Sequence, residues 1–147
     1  MSDEATTSRV LIPCSDDECW AVPQSCLAEI HVVNSDQETP PQSIEWRGRE
    51  VPVVDFGSDA ATRWCERRVG TGLVAIFLGM EGAECEYWGV AIRGAGLDLV
   101  KLDPDELLDA SEDAKAHASA AFRYNDVLYQ VPDLDGLQQR AAAQAAV

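Results

Sequence analysis

The sequence predicts an all-β protein in which roughly ten short strands form two halves. Three observations support this. Short runs of β-branched and aromatic residues alternate with Gly, Pro, Asn and Asp, at the spacing of sandwiches and barrels. The strand-like runs fall on either side of a polar stretch at residues 57–72. The 147 residues are 46% hydrophobic and 25% charged, as in ordinary globular proteins.

The first half has strand-like runs bounded by turn residues. β-branched and aromatic residues fit a pleated, half-buried surface, and Gly48 supplies the positive φ that a tight hairpin turn often needs. One short helical turn is predicted at residues 24–28. The predicted strands are residues 9–13, 19–23, 29–33, 43–46 and 51–56.

The second half repeats this pattern with one helix start, where Asp103, Pro104 and Glu106 suit the first turn of a helix. Its predicted strands are residues 73–78, 85–92, 97–102, 122–124 and 127–131. A single domain is expected over residues 9–137, with a connector between its halves near 57–72. Residues 1–8 and 138–147 are expected to be flexible tails, because the Ala/Gln-rich C-terminus is too short to be a stable helix alone.

The charge of the chain argues against nucleic acid and anionic membrane surfaces as partners. The formal net charge is −15 and the isoelectric point is about 4.2. Such a surface repels phosphate groups, so nucleic acid is not expected as a partner. The acidic N-terminus lacks the basic region of a secretory signal, and no apolar run approaches the ~18 residues of a membrane span. A cytoplasmic protein without membrane insertion is expected.

No cofactor or metal site is expected. The odd number of cysteines and the absence of C-x-x-C spacing indicate free thiols packed as small hydrophobic side chains. The two histidines, His31 and His117, lie far from any cysteine cluster in the sequence, which argues against zinc. The five cysteines are Cys14, Cys19, Cys26, Cys65 and Cys85.

No motif for catalysis stands out, so the sequence indicates a protein that is not an enzyme. The chain lacks a complete phosphate-binding glycine loop and a G-x-S-x-G elbow. Carboxylates are abundant, and Asp55 at the end of a strand is expected to accept a hydrogen bond from neighbouring backbone.

One segment carries a resemblance to a known family. Residues 44–56 read Ile-Glu-Trp-Arg-Gly-Arg-Glu-Val-Pro-Val-Val-Asp-Phe. This resembles the I-x-apolar-R-G-x-x-apolar-P-apolar-apolar-D-apolar stretch of CheW-like coupling domains. Three other blocks resemble family segments in the same order, and the resemblance as a whole covers roughly residues 9–137. These blocks are residues 20–30, 87–92 and 124–135.

The resemblance implies two five-stranded, SH3-like barrels packed side by side, with short helices. It also implies a non-catalytic signalling adaptor that couples the cytoplasmic tips of chemoreceptors to the regulatory domain of a CheA-type histidine kinase. The Trp-Arg-Gly-Arg variant is similar to accessory ChpC-like members of type IV pilus chemosensory systems. The partner-binding residues implied by the match, or considered beside it, are Glu29, Ile30, Ile44, Trp46, Arg47, Gly48 and Asp55.

Two alternatives remain open at this point. One is an unrelated all-β module that binds a peptide or small ligand in an enclosed apolar pocket. The other is a small hydrolase whose carboxylates converge in a cleft with raised pKa values. Residues 93–97 depart from the family pattern, which leaves room for a different set of partners.

Overall fold

The computed structural model describes residues 7–15, 18–35, 37–57, 64–65, 70–79, 86–93, 98–102 and 104–145. Within these ranges, single turns of 3₁₀ helix lie at Gln24–Cys26, Pro104–Glu106 and Ser111–Asp113. The strands and the one helix are β1 (Thr7–Ser15), β2 (Glu18–Pro23), β3 (Leu27–Asn34), β4 (Ser43–Trp46), β5 (Arg49–Val54), β6 (Thr71–Leu78), β7 (Tyr87–Ile92), β8 (Asp98–Leu102), β9 (Leu108–Asp109), β10 (Ala118–Tyr124), β11 (Val127–Pro132) and α1 (Leu134–Ala145).

The strands form two sheets, which confirms the predicted two-part β fold. The first sheet has six strands in the order β8-β1-β2-β11-β10-β9, and the second has five in the order β3-β6-β7-β5-β4. The chain therefore begins in the first sheet, builds the whole second sheet and then returns. The join between the halves was predicted near residues 57–72. In the structure this stretch follows β5 and reaches the start of β6, and both strands belong to the second sheet.

The largest core lies between the two sheets, and strand alternation explains how it forms. Successive side chains of a strand point to opposite faces. On β6, Ala75 and Phe77 therefore face the inter-sheet core, whereas Val74 and Ile76 face a second core on the other side of their sheet. A smaller third core, around Leu11 and Tyr129, lies in the first sheet. Because both faces of the central strands are buried, their sequences are continuous apolar runs.

The C-terminal segment differs from the expected flexible tail. Helix α1 continues to Ala145, and its Leu137 and Ala141 are buried in the inter-sheet core. Asp133 caps the helix, since its carboxylate accepts the backbone N–H of Gly136 at 3.2 Å. Packing on the sheets supplies the stability that so short a helix lacks by itself. No helix in the described part of the chain is long and apolar enough to cross a membrane.

The described cysteines are free thiols, as predicted: Cys14 and Cys65 are buried, and Cys19 and Cys26 are partly buried. Burial, followed by the nearby Glu18, raises the pKa of the Cys14 thiol well above its usual range. Cys14 is therefore a packed, protonated side chain. Cys85, the first residue of the predicted strand 85–92, lies outside the described residues.

Candidate partner-binding site

The site is centred on the carboxylate of Glu29, which lies on the edge strand β3 and accepts hydrogen bonds from three side chains. The indole Nε1 of Trp46 donates to Oε2 at 3.0 Å. The guanidinium Nη2 of Arg47 donates to Oε1 at 3.3 Å. The His31 ring nitrogen Nδ1 lies 3.1 Å from Oε2. We call Glu29, His31, Trp46 and Arg47 the Glu29 cluster.

A tight hairpin turn presents the arginine of this cluster. Arg47 and Gly48 connect β4 to β5 and both have positive φ, 50° and 75°. Two central residues with positive φ define the type I′ turn, whose twist matches that of the flanking strands. The turn leaves the Arg47 side chain 68% exposed while its guanidinium carbon lies 4.7 Å from the Trp46 ring centroid. Arg47 is therefore held in place by Trp46 and Glu29 yet keeps donors available to a partner.

Aromatic and basic side chains extend this surface across the second sheet. The rings of Trp46 and Tyr87 lie 5.0 Å apart between centroids. Arg49 stacks over Tyr87 at 5.1 Å and donates to Glu86 at 3.1 Å. Arginine, tyrosine and tryptophan are the residues that most often dominate the binding energy of protein interfaces. The surface is thus suited to contact a protein carrying carboxylates.

Hydrogen bonding shifts the titration of Glu29. Donation by Trp46, then by His31, lowers the pKa of this carboxyl below its usual value, because both interactions favour the charged form. Because the pKa of Glu29 is lower in the folded state, its carboxylate stabilises the fold at pH values above the pKa that Glu29 has in the unfolded chain. That contribution is lost as pH falls through the folded-state pKa.

We expect Trp46→Phe to raise the pKa of Glu29 toward that of an unperturbed glutamate, because phenylalanine keeps the ring and removes the indole donor. The measurement is an NMR titration of the Glu29 side-chain carboxyl in both proteins. Trp64→Phe is the control, since the Trp64 indole donates to the Leu73 carbonyl at 2.8 Å, away from Glu29. An unchanged Glu29 titration in Trp46→Phe contradicts the assigned hydrogen bond.

The other predicted site residues lie in different places. Ile44 and Trp46 are buried in the core of the second sheet, with only the indole N–H of Trp46 used in the Glu29 cluster. Ile30 packs against the inter-sheet core. Gly48 serves the turn. The structure thus brings together Glu29, Trp46, Arg47 and Gly48. It buries Ile44 and leaves Ile30 partly buried against the inter-sheet core.

Asp55 lies apart from the Glu29 cluster, in a nearly buried ion pair. Arg93 donates to it through Nε at 3.0 Å and through Nη2 at 2.8 Å, and its side chain is only 3% exposed. The backbone N–H of Gly57 also donates to Asp55, at 2.9 Å, as predicted for a strand-end aspartate. The backbone N–H of Arg93 donates to the Pro13 carbonyl of β1, so this pair sits where the two sheets meet.

Sequence reasoning missed Arg93, Arg49, Tyr87 and His31 as members of these arrangements. His31 carried a usable signal, since residues i and i+2 of a strand share a face and His31 follows Glu29 by two. Arg49 carried one too, because a two-residue turn places it opposite Trp46. The contacts of Arg93 and Tyr87 depend on how distant strands pair, which the sequence pattern does not specify.

Comparison with known proteins defines the class of fold. No protein-family model matches the chain, and no curated protein matches it. Among solved structures, the crystal structure of the scaffolding protein TtCheW from Thermoanaerobacter tengcongensis is similar, with a TM-score of 0.60 and 14% sequence identity. The match covers 89% of this chain and 92% of that one. The protein therefore has a CheW-like fold, as the sequence predicted.

Proposed function

We propose that the protein is a non-catalytic adaptor of a bacterial chemosensory pathway, coupling chemoreceptors to a CheA-type histidine kinase in a two-component system. The observation that carries the proposal is the Glu29 cluster. Glu29, Trp46 and Arg47 were singled out from the motif resemblance, and they are in direct contact in a chain that folds like a CheW scaffolding protein.

The geometry explains how such an adaptor binds without chemistry. Arg47 has a fixed position and free donors, so it can pair with a partner carboxylate at a small cost in side-chain entropy. Arg49 and Tyr87 extend the contact area beside it. Interfaces of this kind are small and individually weak, and stable assemblies then arise from several contacts made at once.

The pathway and the place of action belong to the same proposal. The Trp-Arg-Gly-Arg turn is the feature that suggests an accessory, ChpC-like member of a type IV pilus system over a general chemotaxis adaptor. We propose that the protein acts in the cytoplasm, where the signalling tips of chemoreceptors and the kinase regulatory domain are found.

The test is a pull-down from the native cytosol that compares the wild-type protein with Arg47→Glu. We expect the wild type to recover a CheA-type kinase or a chemoreceptor and the variant to lose most of it. The charge reversal turns attraction to a carboxylate into repulsion and also places a second carboxylate beside Glu29.

The control is Arg123→Glu, which makes the same charge change on the first sheet, where the exposed Arg123 pairs with Asp113 at 3.6 Å. It should recover partners like the wild type. If a folded wild-type protein recovers neither a kinase nor a chemoreceptor, the proposal is wrong. If both variants lose the partners equally, Arg47 has no special role.

A further inference from the structure

A groove lies between the two edge strands of the second sheet. β3 and β4 are at opposite ends of the strand order, and the Glu29 cluster joins them at one end through side chains. Beyond this cluster is a groove of about 700 Å³. One wall is formed by residues 31–35, at the end of β3, and the other by residues 43–45 of β4. Residues 37 and 39–41 of the loop between these strands complete the lining.

The outer edge of β3 offers backbone hydrogen bonds to this groove. Residues of an antiparallel pair alternate between exchanging both hydrogen bonds and exchanging none. Ser35 donates to the Gly70 carbonyl, so residues 33 and 31 are also hydrogen-bonded to β6. The N–H and C=O groups of Val32 and Asn34 therefore point away from β6. In the described part of the chain β3 pairs with no strand other than β6.

The groove has an exposed apolar side chain at this edge. Val32 is 56% exposed, one of the most exposed large hydrophobic residues of the described chain. An exposed strand edge with an apolar side chain is a template for pairing with another extended segment. Addition of a strand to such an edge is a common way for proteins to bind peptides, with side-chain contacts giving specificity.

The charge on the opposite wall indicates what kind of segment fits. Glu45 of β4 lines the groove and lies directly opposite Glu50 of β5. Both residues are exposed. Like charges opposite each other on neighbouring strands destabilise a sheet. A cation bound beside Glu45 would relieve this repulsion.

We propose that the groove binds an extended segment of a partner protein in which apolar and basic residues alternate. The segment pairs with the backbone of Val32 and Asn34 and packs an apolar side chain against Val32. A neighbouring lysine or arginine lies beside Glu45. This interaction goes beyond the proposed coupling function, since it uses the groove and not the exposed face of Arg47.

A second copy of this chain is a poor occupant, because each copy carries a net charge of −15. Like net charges of that size oppose association. Glu45 and Glu50 would add local repulsion to any acidic segment. A basic segment gains from the same field, which raises its local concentration near the groove.

The test uses a capped hexapeptide of alternating valine and lysine as the probe, added to the full chain and followed by NMR. We expect saturable binding with backbone amide shifts concentrated at residues 31–35 and 43–45. Val32→Pro should weaken binding about fivefold, because it removes an outward donor worth about 1 kcal/mol without breaking a bond to β6. Val32→Ile keeps both this donor and an apolar side chain, and it should bind like the wild type.

The contribution of charge is tested separately. Glu45→Lys should weaken binding by about tenfold or more, whereas Glu112→Lys makes the same charge change at an exposed site away from the groove and should have little effect. Glu45→Lys also keeps the proposal testable if Val32→Pro does not fold.

Three results overturn the proposal. One is the absence of binding up to about 1 mM peptide, which corresponds to about 4 kcal/mol. Another is equal weakening by Glu45→Lys and Glu112→Lys, which indicates attraction to the acidic surface as a whole. The third is a set of shifts that avoids β3 and β4. Each is independent of whether Arg47 is needed to recover a kinase or chemoreceptor, so the two proposals fail separately.

Discussion

Replacing Arg93 by methionine is expected to lower the free energy of unfolding by about 3 kcal/mol, since it leaves the partly buried carboxylate of Asp55 without its cation. Asp55 is only 20% exposed and Arg93 3% exposed, so water replaces little of the lost interaction. The expected loss is at the lower end for buried pairs, because Asp55 keeps the N–H of Gly57. The measurement is urea unfolding followed by circular dichroism.

Two variants show whether burial and geometry cause this loss. Arg49→Met removes an arginine that is 54% exposed from its pair with Glu86, and it should cost less than about 1 kcal/mol. Arg93→Lys keeps the charge but cannot form both hydrogen bonds to the carboxylate, so it should fall between wild type and Arg93→Met. Equal stabilities of Arg93→Met and Arg49→Met would contradict the assigned role of the buried pair.

Replacing Trp20 by alanine is expected to cost about 4 kcal/mol, the usual range for a fully buried large aromatic side chain. Trp20 is 0% exposed and lies between the two sheets, with ring centroids 5.3 Å from Phe56 and 6.0 Å from Phe77. Its indole donates to Glu18 at 2.7 Å. A loss of this size is a large part of the ~5–15 kcal/mol that stabilises a typical domain.

Trp20→Phe separates packing from hydrogen bonding. The phenylalanine keeps most of the apolar contact but cannot donate a hydrogen bond to Glu18. Glu18 still contacts the His117 ring nitrogen through Oε2. Its expected cost is about 1–2 kcal/mol. Val127→Ala, at a site that is 46% exposed, should change stability by about 0.5 kcal/mol or less. Urea unfolding of all three variants makes the comparison, and a Trp20→Ala cost close to that of Val127→Ala would contradict the inter-sheet core.

The hairpin of β4 and β5 shows how much of the site local sequence could predict. The place of its turn, the positive φ of Gly48 and the exposure of Arg47 all follow from neighbouring residues. The predicted turn was too long, since the second strand was predicted from residue 51 and β5 begins at Arg49. The pairing of Glu29 with Arg47 was not predictable from spacing, because the two residues are 18 positions apart. In the described sheet, the strand of Glu29, β3, does not pair with β4 or β5, which flank the turn that holds Arg47.

Asp55 and the C-terminal segment show the opposite case. A strand-end aspartate was expected to bond to nearby backbone, and it does. Its pairing with Arg93, 38 positions further along the chain, depends on the pairing of β5 with β7. Residues 138–145 have the helix propensity seen in the sequence, yet only the apolar surface between the sheets makes a helix there stable.

The sequence by itself determined the all-β class and the approximate positions of most strands, because these depend on side-chain alternation and on local backbone preferences. It missed β9 and the first residues of β10. The tertiary structure alone decided the strand order, the ion pair of Asp55 with Arg93, the docking of α1 and the groove between β3 and β4. Each of these depends on contacts between residues far apart in the chain. Many pairings of similar apolar strands satisfy the same local pattern, and packing in three dimensions selects among them.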